Sequence, residues 1–398
     1  MYIKIFYKTS DRLGILCTGV GVFILSTSSL YAADLSDLDS QHRFKIKGTE
    51  TWSIDSNPLK SATNSDTLMG SETGLGLTIG DITPTHKLYL DTLIDYNRYD
   101  NSSFNTTNLH ETLGLFKLNQ RWLAGIEGKY DSDTTRTSEI TSFGISAPSV
   151  RRTGISFSPQ LSFNPTPVDK LSFNSSLSQV EYDNSAFVDY KSFSLNPSYA
   201  HNFDPNNAGI ITVNFQRYQT DNASKSRTDS MGPSLGWTSL INDRLNTKIT
   251  AGVERAKQSN QLSTSKSSRL NYVFSAAANF KSLWDVASVT ASRSQQQFGN
   301  GNSSLLTSFD ISEAHSLNSK ITLNANSNYS YTDYSSSSGV NLDNQFKISG
   351  GVAYHLLEEL DITTNYQYID QKLTGTSDSV KEQILRIGVA YHPDFSPL

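Results

Sequence analysis

Residues Leu342–Asp370 read LDNQFKISGGVAYHLLEELDITTNYQYID, and apolar and polar side chains alternate through both halves of this stretch. One parity is mostly apolar or aromatic: Phe346, Ile348, Gly350, Val352 and Tyr354, then Leu360, Ile362, Thr364, Tyr366 and Tyr368. A polar break at Glu358 and Glu359 separates the two halves. Because a period of two is typical of a strand with one apolar face, the stretch predicts a β-hairpin. A lone hairpin cannot cover its apolar face or its edges, so we expect the unit to repeat.

The N-terminus has the order of a secretory signal peptide. Lys4, Lys8 and Arg12 precede an apolar run over residues 15–25, and small residues follow up to Ala33. We predict a signal peptide at residues 1–33 and a short periplasmic segment at residues 34–41; the alternative is an uncleaved membrane anchor. The single cysteine, Cys17, lies inside the predicted signal, so the mature chain would have no thiol chemistry.

The charge balance gives no reason to expect nucleic acid binding. The 398-residue chain has a formal net charge of −5, and removal of residues 1–33 leaves 30 basic and 37 acidic residues, or −7. Mean hydropathy is −0.41 and only 18% of residues are charged. By its mean hydropathy the chain resembles a soluble protein. A chain whose alternate residues face lipid and water has the same average, because the two faces cancel.

Strand-like segments recur along the whole mature chain. We predict 18 of them, at residues 42–54, 71–82, 87–98, 109–118, 121–131, 152–163, 169–182, 187–202, 208–220, 228–241, 244–257, 268–281, 285–297, 303–315, 319–333, 342–356, 359–371 and 380–392. Short polar turns alternate with longer connections rich in Ser, Asn and Thr, which is typical of outer-membrane barrels. We therefore predict an all-β fold, a transmembrane antiparallel up-and-down β-barrel of about 18 strands over residues 42–398. Sixteen strands, or a soluble propeller or solenoid, are the alternatives.

Two details of the strands carry separate expectations. Pro159, Pro197 and Pro233 lie inside predicted strands, where each removes a ladder hydrogen bond, so bulges or early strand ends are expected there. In the last strand, Gly388 lies three residues before Tyr391, and Tyr391 lies on the apolar parity. This ending resembles the C-terminal signal that the barrel-assembly machinery reads, although residues 393–398 follow it. We expect that machinery, outer-membrane lipid and lipopolysaccharide as partners.

The histidines offer no metal-binding motif. The seven of them form no HExxH or HxH pair, and we predict neither an enzyme nor a cofactor. Five histidines, at positions 86, 201, 315, 355 and 392, fall near the short turns, where we interpret them as interfacial polar residues. What remains is the inner wall of the barrel. The predicted lumen-lining residues are Asp91, Asp95, Glu127, Lys129, Asp131, Lys248, Glu254, Lys347, Asp361 and Arg386.

These residues predict a polar channel of mixed charge. A bore of 18 strands is wide enough to hold water, and mixed charge argues against strong ion selectivity. The many hydroxyl and amide groups, such as those of Thr322, Asn324 and Asn328, suit polyhydroxylated solutes, or they merely keep the lumen wet. The alternative hypothesis is a structural or surface-binding barrel with a closed lumen. Residues 55–70 and 132–151 are the connections that could fold inward.

The chain resembles the beta-barrel porin 2 family of Gram-negative bacteria. The resemblance rests on TETWSIDSNPLK at residues 49–60 and on SFSPQLSFNPTPVDKLSFNSSLSQVEYDNSAFVDYKSFSLNPSYAHNF at residues 156–203. It covers most of residues 45–392 as a pattern of strands and turns. Members of this family often accompany exopolysaccharide loci, so the resemblance implies a polysaccharide or oligosaccharide pore in the outer membrane. It carries over no functional residue.

Overall fold

The computed structural model describes residues 41–58, 66–138, 149–184, 187–221, 225–259, 266–297, 303–333, 342–373 and 379–393. These ranges contain 18 strands: β1 (Gln41–Asp55), β2 (Leu68–Ile82), β3 (His86–Tyr99), β4 (Thr106–Leu118), β5 (Trp122–Thr134), β6 (Arg151–Phe163), β7 (Asp169–Tyr182), β8 (Tyr190–Asp204), β9 (Asn207–Thr220), β10 (Arg227–Asn242), β11 (Leu245–Ser259), β12 (Lys266–Lys281), β13 (Asp285–Gln297), β14 (Ser303–Ser316), β15 (Ile321–Asp333), β16 (Leu342–Leu357), β17 (Leu360–Leu373) and β18 (Ser379–Tyr391). A 3-10 turn (Ser102–Phe104) follows β3, and a helical turn, α1 (Thr135–Ser138), follows β5. The predicted signal peptide and the segment up to residue 40 lie outside the described residues.

Each strand pairs antiparallel with the next strand in sequence, and β1 pairs with β18 to close the sheet. All strands are therefore bonded on both sides, which removes the open edges of a flat sheet. The predicted 18-stranded antiparallel barrel is confirmed. Two ends can be distinguished, and we call them the turn end, where residues such as 83–85 and 205–206 join strands, and the loop end, which carries the longer connections.

The hairpin of β16 and β17 has the predicted register. Ile348 lies opposite Tyr368, Gly350 opposite Tyr366, and Val352 opposite Thr364. Paired residues share a face, so the apolar sets of both strands lie on one side of the sheet. Ile348 and Tyr366 are 45% and 46% exposed there.

The same division holds around the barrel. Large apolar side chains with more than a third of their surface exposed occur at every second position, for example Leu235, Ile249 and Tyr272. Residues of the opposite parity are mostly polar, and many at the loop end are buried. Since an aqueous exterior would not favour so large an apolar surface, the exposed apolar face is the lipid-facing outer face. The polar parity forms the inner face. None of the helices in the described ranges is long and apolar enough to cross a membrane.

The three strand prolines do not produce bulges or early strand ends, so that prediction was wrong. Pro159 lies opposite Ile126, Pro197 opposite Phe173, and Pro233 opposite Val213, in continuous ladders on that side. On the other side pairing lapses for two residues and resumes in the same register. Proline tolerates an extended backbone and lacks only its N–H. Because that N–H would point to one neighbouring strand, only one ladder is interrupted.

The gap beside Pro233 brings two backbones close together. A Cβ on Gly252 of β11 would lie 2.5 Å from the Pro233 carbonyl oxygen and 2.7 Å from the Ser234 Cβ. A Cβ on Gly232 would overlap the Val253 carbonyl oxygen. Glycine at positions 232 and 252 is therefore required by the close approach of β10 and β11.

The seam between β12 and β13 is paired over only part of its length. Backbone pairing joins residues 274–281 of β12 to residues 286–293 of β13. Nearer the loop end, side chains connect the two strands: the Asn271 amide donates to Gln295 Oε1 at 3.2 Å. Arg269 of β12 and Arg293 of β13 both donate to Asp333 Oδ2 of β15, at 2.8 and 3.3 Å. The part of this seam nearer the loop end is thus held by side chains.

Candidate functional site: the inner wall

All ten residues predicted to line the lumen lie on the polar parity of their strands. They are Asp91 and Asp95 on β3, Glu127, Lys129 and Asp131 on β5, Lys248 and Glu254 on β11, Lys347 on β16, Asp361 on β17 and Arg386 on β18. Their register partners are polar or small in most cases; Asp95, for example, lies between Gly74 and Asn108. The structure brings some of them together and leaves others apart.

One group of charges spans the inner face from β18 to β5. Glu72 of β2 lies within electrostatic reach of Asp95, Arg386 and His110. His110 Nδ1 is 2.7 Å from Asp131 Oδ1 on the neighbouring strand. The group therefore joins three predicted residues to two that the prediction missed. Glu72 follows the same parity rule and could have been found, whereas the His110–Asp131 contact depends on the register of β4 and β5.

A second cluster lies on β5. Glu127 Oε1 is 3.1 Å from Lys129 Nζ, and the Tyr89 hydroxyl of β3 donates to Glu127 Oε2 across β4. Gly114 of β4 lies between them, and the Tyr89 ring fills the space where a Cβ at position 114 would be. The tyrosine thus reaches its acceptor over a glycine. Tyr89 is a further wall residue that the sequence prediction did not include.

Asp361 lies between two histidines at the turn end. Its Oδ1 is 2.5 Å from His355 Nδ1, and its Oδ2 is 3.0 Å from His392 Nε2. One carboxylate thus ties β16, β17 and the residue after β18 together. It also exerts an electrostatic influence on Lys47 of β1.

Three further histidine–aspartate pairs lie at the turn end on the outer parity. His86 pairs with Asp81 at 3.0 Å, His201 with Asp169 at 2.8 Å, and His315 with Asp285 at 2.6 Å. The prediction that five histidines lie near the short turns is therefore confirmed for their position. Each joins a neighbouring strand through a carboxylate. Among the described residues, no group of three or more His, Cys, Asp and Glu is arranged to hold a metal ion.

The remaining predicted wall residues are placed by their register partners. Asp91 lies between Thr78 and Thr112, Lys248 between Thr238 and Ala277, and Lys347 between Asn328 and Ile369. Glu254 accepts a side-chain hydrogen bond from Asn214. For the assembly signal, Gly388 packs between Thr51 and Thr363, and Tyr391 ends β18 with half its surface exposed. Recognition of these two residues by the assembly machinery stays a prediction.

The loop end contains a contact between strands that are not neighbours. Arg136 of α1 donates through an Nη atom to Asp55 Oδ2 of β1 at 3.1 Å, and its guanidinium lies 4.7 Å from the Tyr99 ring and 5.0 Å from the Phe104 ring. β1 and β5 are separated by three strands, or about 19 Å of wall at 4.8 Å per strand. The start of the 132–151 connection therefore folds over the tops of β2–β4. We call these four residues the Arg136 clamp.

Inner-face side chains around the clamp are buried. Thr135 is fully buried, and Gln371, Asn97 and Gln345 are at most 3% exposed. Towards the turn end, inner residues such as Thr322 and Asn324 are partly exposed, and Asn246 is exposed. The inner face is therefore more crowded at the loop end than at the turn end.

Hydroxyl groups form cross-strand pairs on the inner face between these ends. Ser178 and Ser192 are 2.6 Å apart, Ser288 and Ser312 2.6 Å, and Ser292 and Ser308 2.9 Å, measured between their Oγ atoms. The Asn328 amide also donates to Asp310. These contacts give the wall a surface of groups that both donate and accept hydrogen bonds.

Parts or most of the chain are similar to known proteins. The family model described as "Putative beta-barrel porin 2" matches residues 286–392, which run from β13 to β18. A search of curated proteins finds no match. Among solved structures, OccAB2 of Acinetobacter baumannii aligns over 88% of this chain and 98% of its own, at 11% identity and a TM-score of 0.49. The outer membrane channel DcaP of Acinetobacter baumannii aligns over 89% and 97%, at 11% identity and 0.46.

A longer protein is matched only in part. The ferric citrate transporter FecA aligns over 84% of this chain at 12% identity and a TM-score of 0.47, and the chain spans 60% of the length of FecA.

A closed barrel of 18 strands with an apolar outer face and a polar inner wall belongs to the class of porin-like channels of the bacterial outer membrane. The match over residues 286–392 confirms the predicted resemblance to the beta-barrel porin 2 family for that part of the chain.

Proposed function

We propose that this channel passes polar, hydroxyl-rich solutes, with an oligosaccharide or an exopolysaccharide as its cargo. The observation that supports this cargo most directly is the set of partly exposed serine pairs on the inner face, Ser178–Ser192 and Ser288–Ser312. Each hydroxyl can donate and accept, so a sugar hydroxyl can replace a serine partner without leaving a group unpaired. A passing sugar would exchange hydrogen bonds one for one.

The charged wall residues fit the same cargo. Glu127 and Lys129 neutralise one another, and Glu72, Asp95 and Arg386 mix both signs within one group. In this proposal, the ten predicted residues line the lumen and give it weak selectivity among small ions. A wall of this kind neither excludes nor traps an uncharged carbohydrate.

The second candidate function is a structural or surface-binding barrel with a closed lumen. The burial of loop-end inner residues favours it, because Thr135 and Gln371 have almost no exposed surface. The Arg136 clamp also places a charged side chain over the wall from β1 to β5. In this case the loops, and not the bore, would contact partners.

Reconstitution into planar bilayers separates the two functions. We expect the purified full-length barrel, shown to be folded by its heat-modifiable migration on gels, to give conductance steps well above background. A folded protein without such steps would favour the closed barrel and refute the channel.

The cargo needs a second measurement. Liposome swelling is compared for a series from mono- to tetrasaccharides and for size-matched apolar alcohols, and sugars are expected to enter faster. Ser288→Ala together with Ser312→Ala should reduce this preference, while Ser239→Ala, at an outer-face serine that bonds Asn207, should not. Equal entry of sugars and alcohols would refute the carbohydrate cargo even if the channel conducts.

A further inference from the structure

Five cationic side chains occupy the outer face of β8–β11 near the loop end. They are Lys191 on β8, Arg217 on β9, Arg227 on β10, and Arg255 and Lys257 on β11. Asp229 of β10 is the one acidic residue on the outer parity of these four strands. The patch therefore carries a net charge of +4 on a chain whose own net charge is −5. We call these six residues the basic patch.

The register places the patch in a compact area. Lys191 and Arg227 both lie opposite Gln219, and Arg217 and Lys257 both lie opposite Asp229. Arg255 lies one two-residue step closer to the turn end on β11. At about 4.8 Å between strands and 6.8 Å per two-residue step, the patch measures about 14 Å in each direction. This is the size of one lipid headgroup that carries several anionic groups.

The three arginines are held in place by their Nε atoms. Arg217 and Arg227 each donate Nε to Asp229 at 2.7 Å, and Arg255 donates Nε to Ser268 Oγ at 2.9 Å. The hydrogen bonds described for these three guanidiniums all use Nε, and their terminal nitrogens take no part in these bonds. Arg217 and Arg227 have 52% and 41% of their side chains exposed. An anchored guanidinium with exposed terminal nitrogens suits bidentate binding of phosphate.

Apolar residues lie directly next to the patch on the side of the turn end. Phe215 and Met231 pair with one another one step below Arg217 and Asp229, and Leu270 pairs with Arg255. Met231, Leu270 and Tyr272 are 55%, 59% and 70% exposed. A ligand that binds both surfaces must carry phosphates at the level of the basic patch and acyl chains on its turn-end side.

We propose that the basic patch is a binding site for one lipopolysaccharide molecule of the outer leaflet, with its phosphates on Arg217, Arg227 and Arg255 and its acyl chains along Phe215, Met231 and Leu270. A soluble acidic partner is disfavoured because the patch is continuous with the lipid-facing surface and not with the inner wall. The inference does not depend on what passes through the channel.

The test measures lipopolysaccharide bound to the detergent-purified barrel by native mass spectrometry. The variant carries Arg217→Gln, Arg227→Gln and Arg255→Gln. Its control carries Arg98→Gln, Lys372→Gln and Lys381→Gln, which removes three exposed outer-parity cations elsewhere on the loop end. We expect the variant to lose at least about tenfold in affinity and the control to keep it, because charge-assisted contacts to phosphate are lost only from the patch.

The remaining binding measurements use the wild-type protein. Dephosphorylated lipopolysaccharide should bind it as weakly as the intact lipid binds the variant, and phosphatidylglycerol should bind weakly as well. The comparison of these lipids on wild-type protein also tests the proposal if the triple variant fails the heat-modifiable migration test for folding. Equal binding of intact and dephosphorylated lipopolysaccharide, or equal binding of phosphatidylglycerol, would overturn the proposal.

Discussion

Replacing Arg136 by alanine should open the loop end of the channel. In the Arg136 clamp this one side chain bonds Asp55 at 3.1 Å and lies 4.7 and 5.0 Å from the rings of Tyr99 and Phe104. These contacts connect α1 to β1, β3 and the 3-10 turn. Without them α1 keeps its link to the end of β5 but is held less firmly over β2–β4.

The size of the effect follows from the burial of the ion pair. The side chains of Arg136 and Asp55 are only 15% and 6% exposed, so the pair is sheltered from water. Removing one partner of a buried pair costs about 3–5 kcal/mol. Since the Asn57 N–H still donates to Asp55 Oδ1 at 3.0 Å, we expect the lower end, about 3 kcal/mol. At 1.4 kcal/mol per tenfold change, the balance between held and released α1 shifts roughly 100-fold.

Single-channel recording in planar bilayers measures this shift. Arg136→Ala should give larger conductance steps and shorter closed times than wild type, and Asp55→Asn should change both in the same direction by less. Arg98→Ala, an exposed arginine of the outer parity on β3, serves as the matched control and should leave both unchanged. If folded Arg136→Ala protein records like wild type, the clamp does not restrict the loop end and the reasoning is wrong.

Two further predictions concern the stability of the barrel. Gly252→Ala would place a Cβ about 0.9 Å closer to the Pro233 oxygen than an ordinary 3.4 Å contact, and overpacking of this kind costs about 1–3 kcal/mol. Its urea unfolding midpoint should fall below that of Gly76→Ala, whose nearest neighbour is at 3.6 Å, and equal midpoints would contradict the close approach. Ile249 is 58% exposed on the outer face, and Ile249→Lys should lower the free energy of unfolding by about 2–4 kcal/mol. Thr250→Lys on the inner face should lower the free energy of unfolding by clearly less. If Thr250→Lys lowers it more than Ile249→Lys does, the inner and outer faces have been assigned wrongly.

Much of the wall could be predicted because a strand has a fixed period of two. Asp361 and Arg386 lie on the parity predicted for the inner face, and the register pairs Asp361 with Ala390 and Arg386 with Asn365. The strands themselves were found for the same reason, since each apolar run had to continue on one face. Pro233 shows the limit of local rules: its effect on the ladder depends on which neighbour its missing N–H faces. Arg136 could not be found from parity, because it lies in a connection and is positioned only by distant strands.

The seam between β12 and β13, like the closure of β1 with β18, has backbone pairing over only part of its length. Between most other neighbours, two strands can part only if a longer row of backbone hydrogen bonds breaks together. Beyond Phe274, the contacts described across this seam are the Asn271–Gln295 bond and the two arginine contacts of Asp333, and these can exchange their partners for water or lipid headgroups. Local openings of a protein follow such differences in hydrogen bonding, so amide protons of this part of β12 that face β13 will exchange before those that face β11. Besides its two ends, the barrel therefore has a place in its wall, near the loop end of β12 and β13, where it can open transiently.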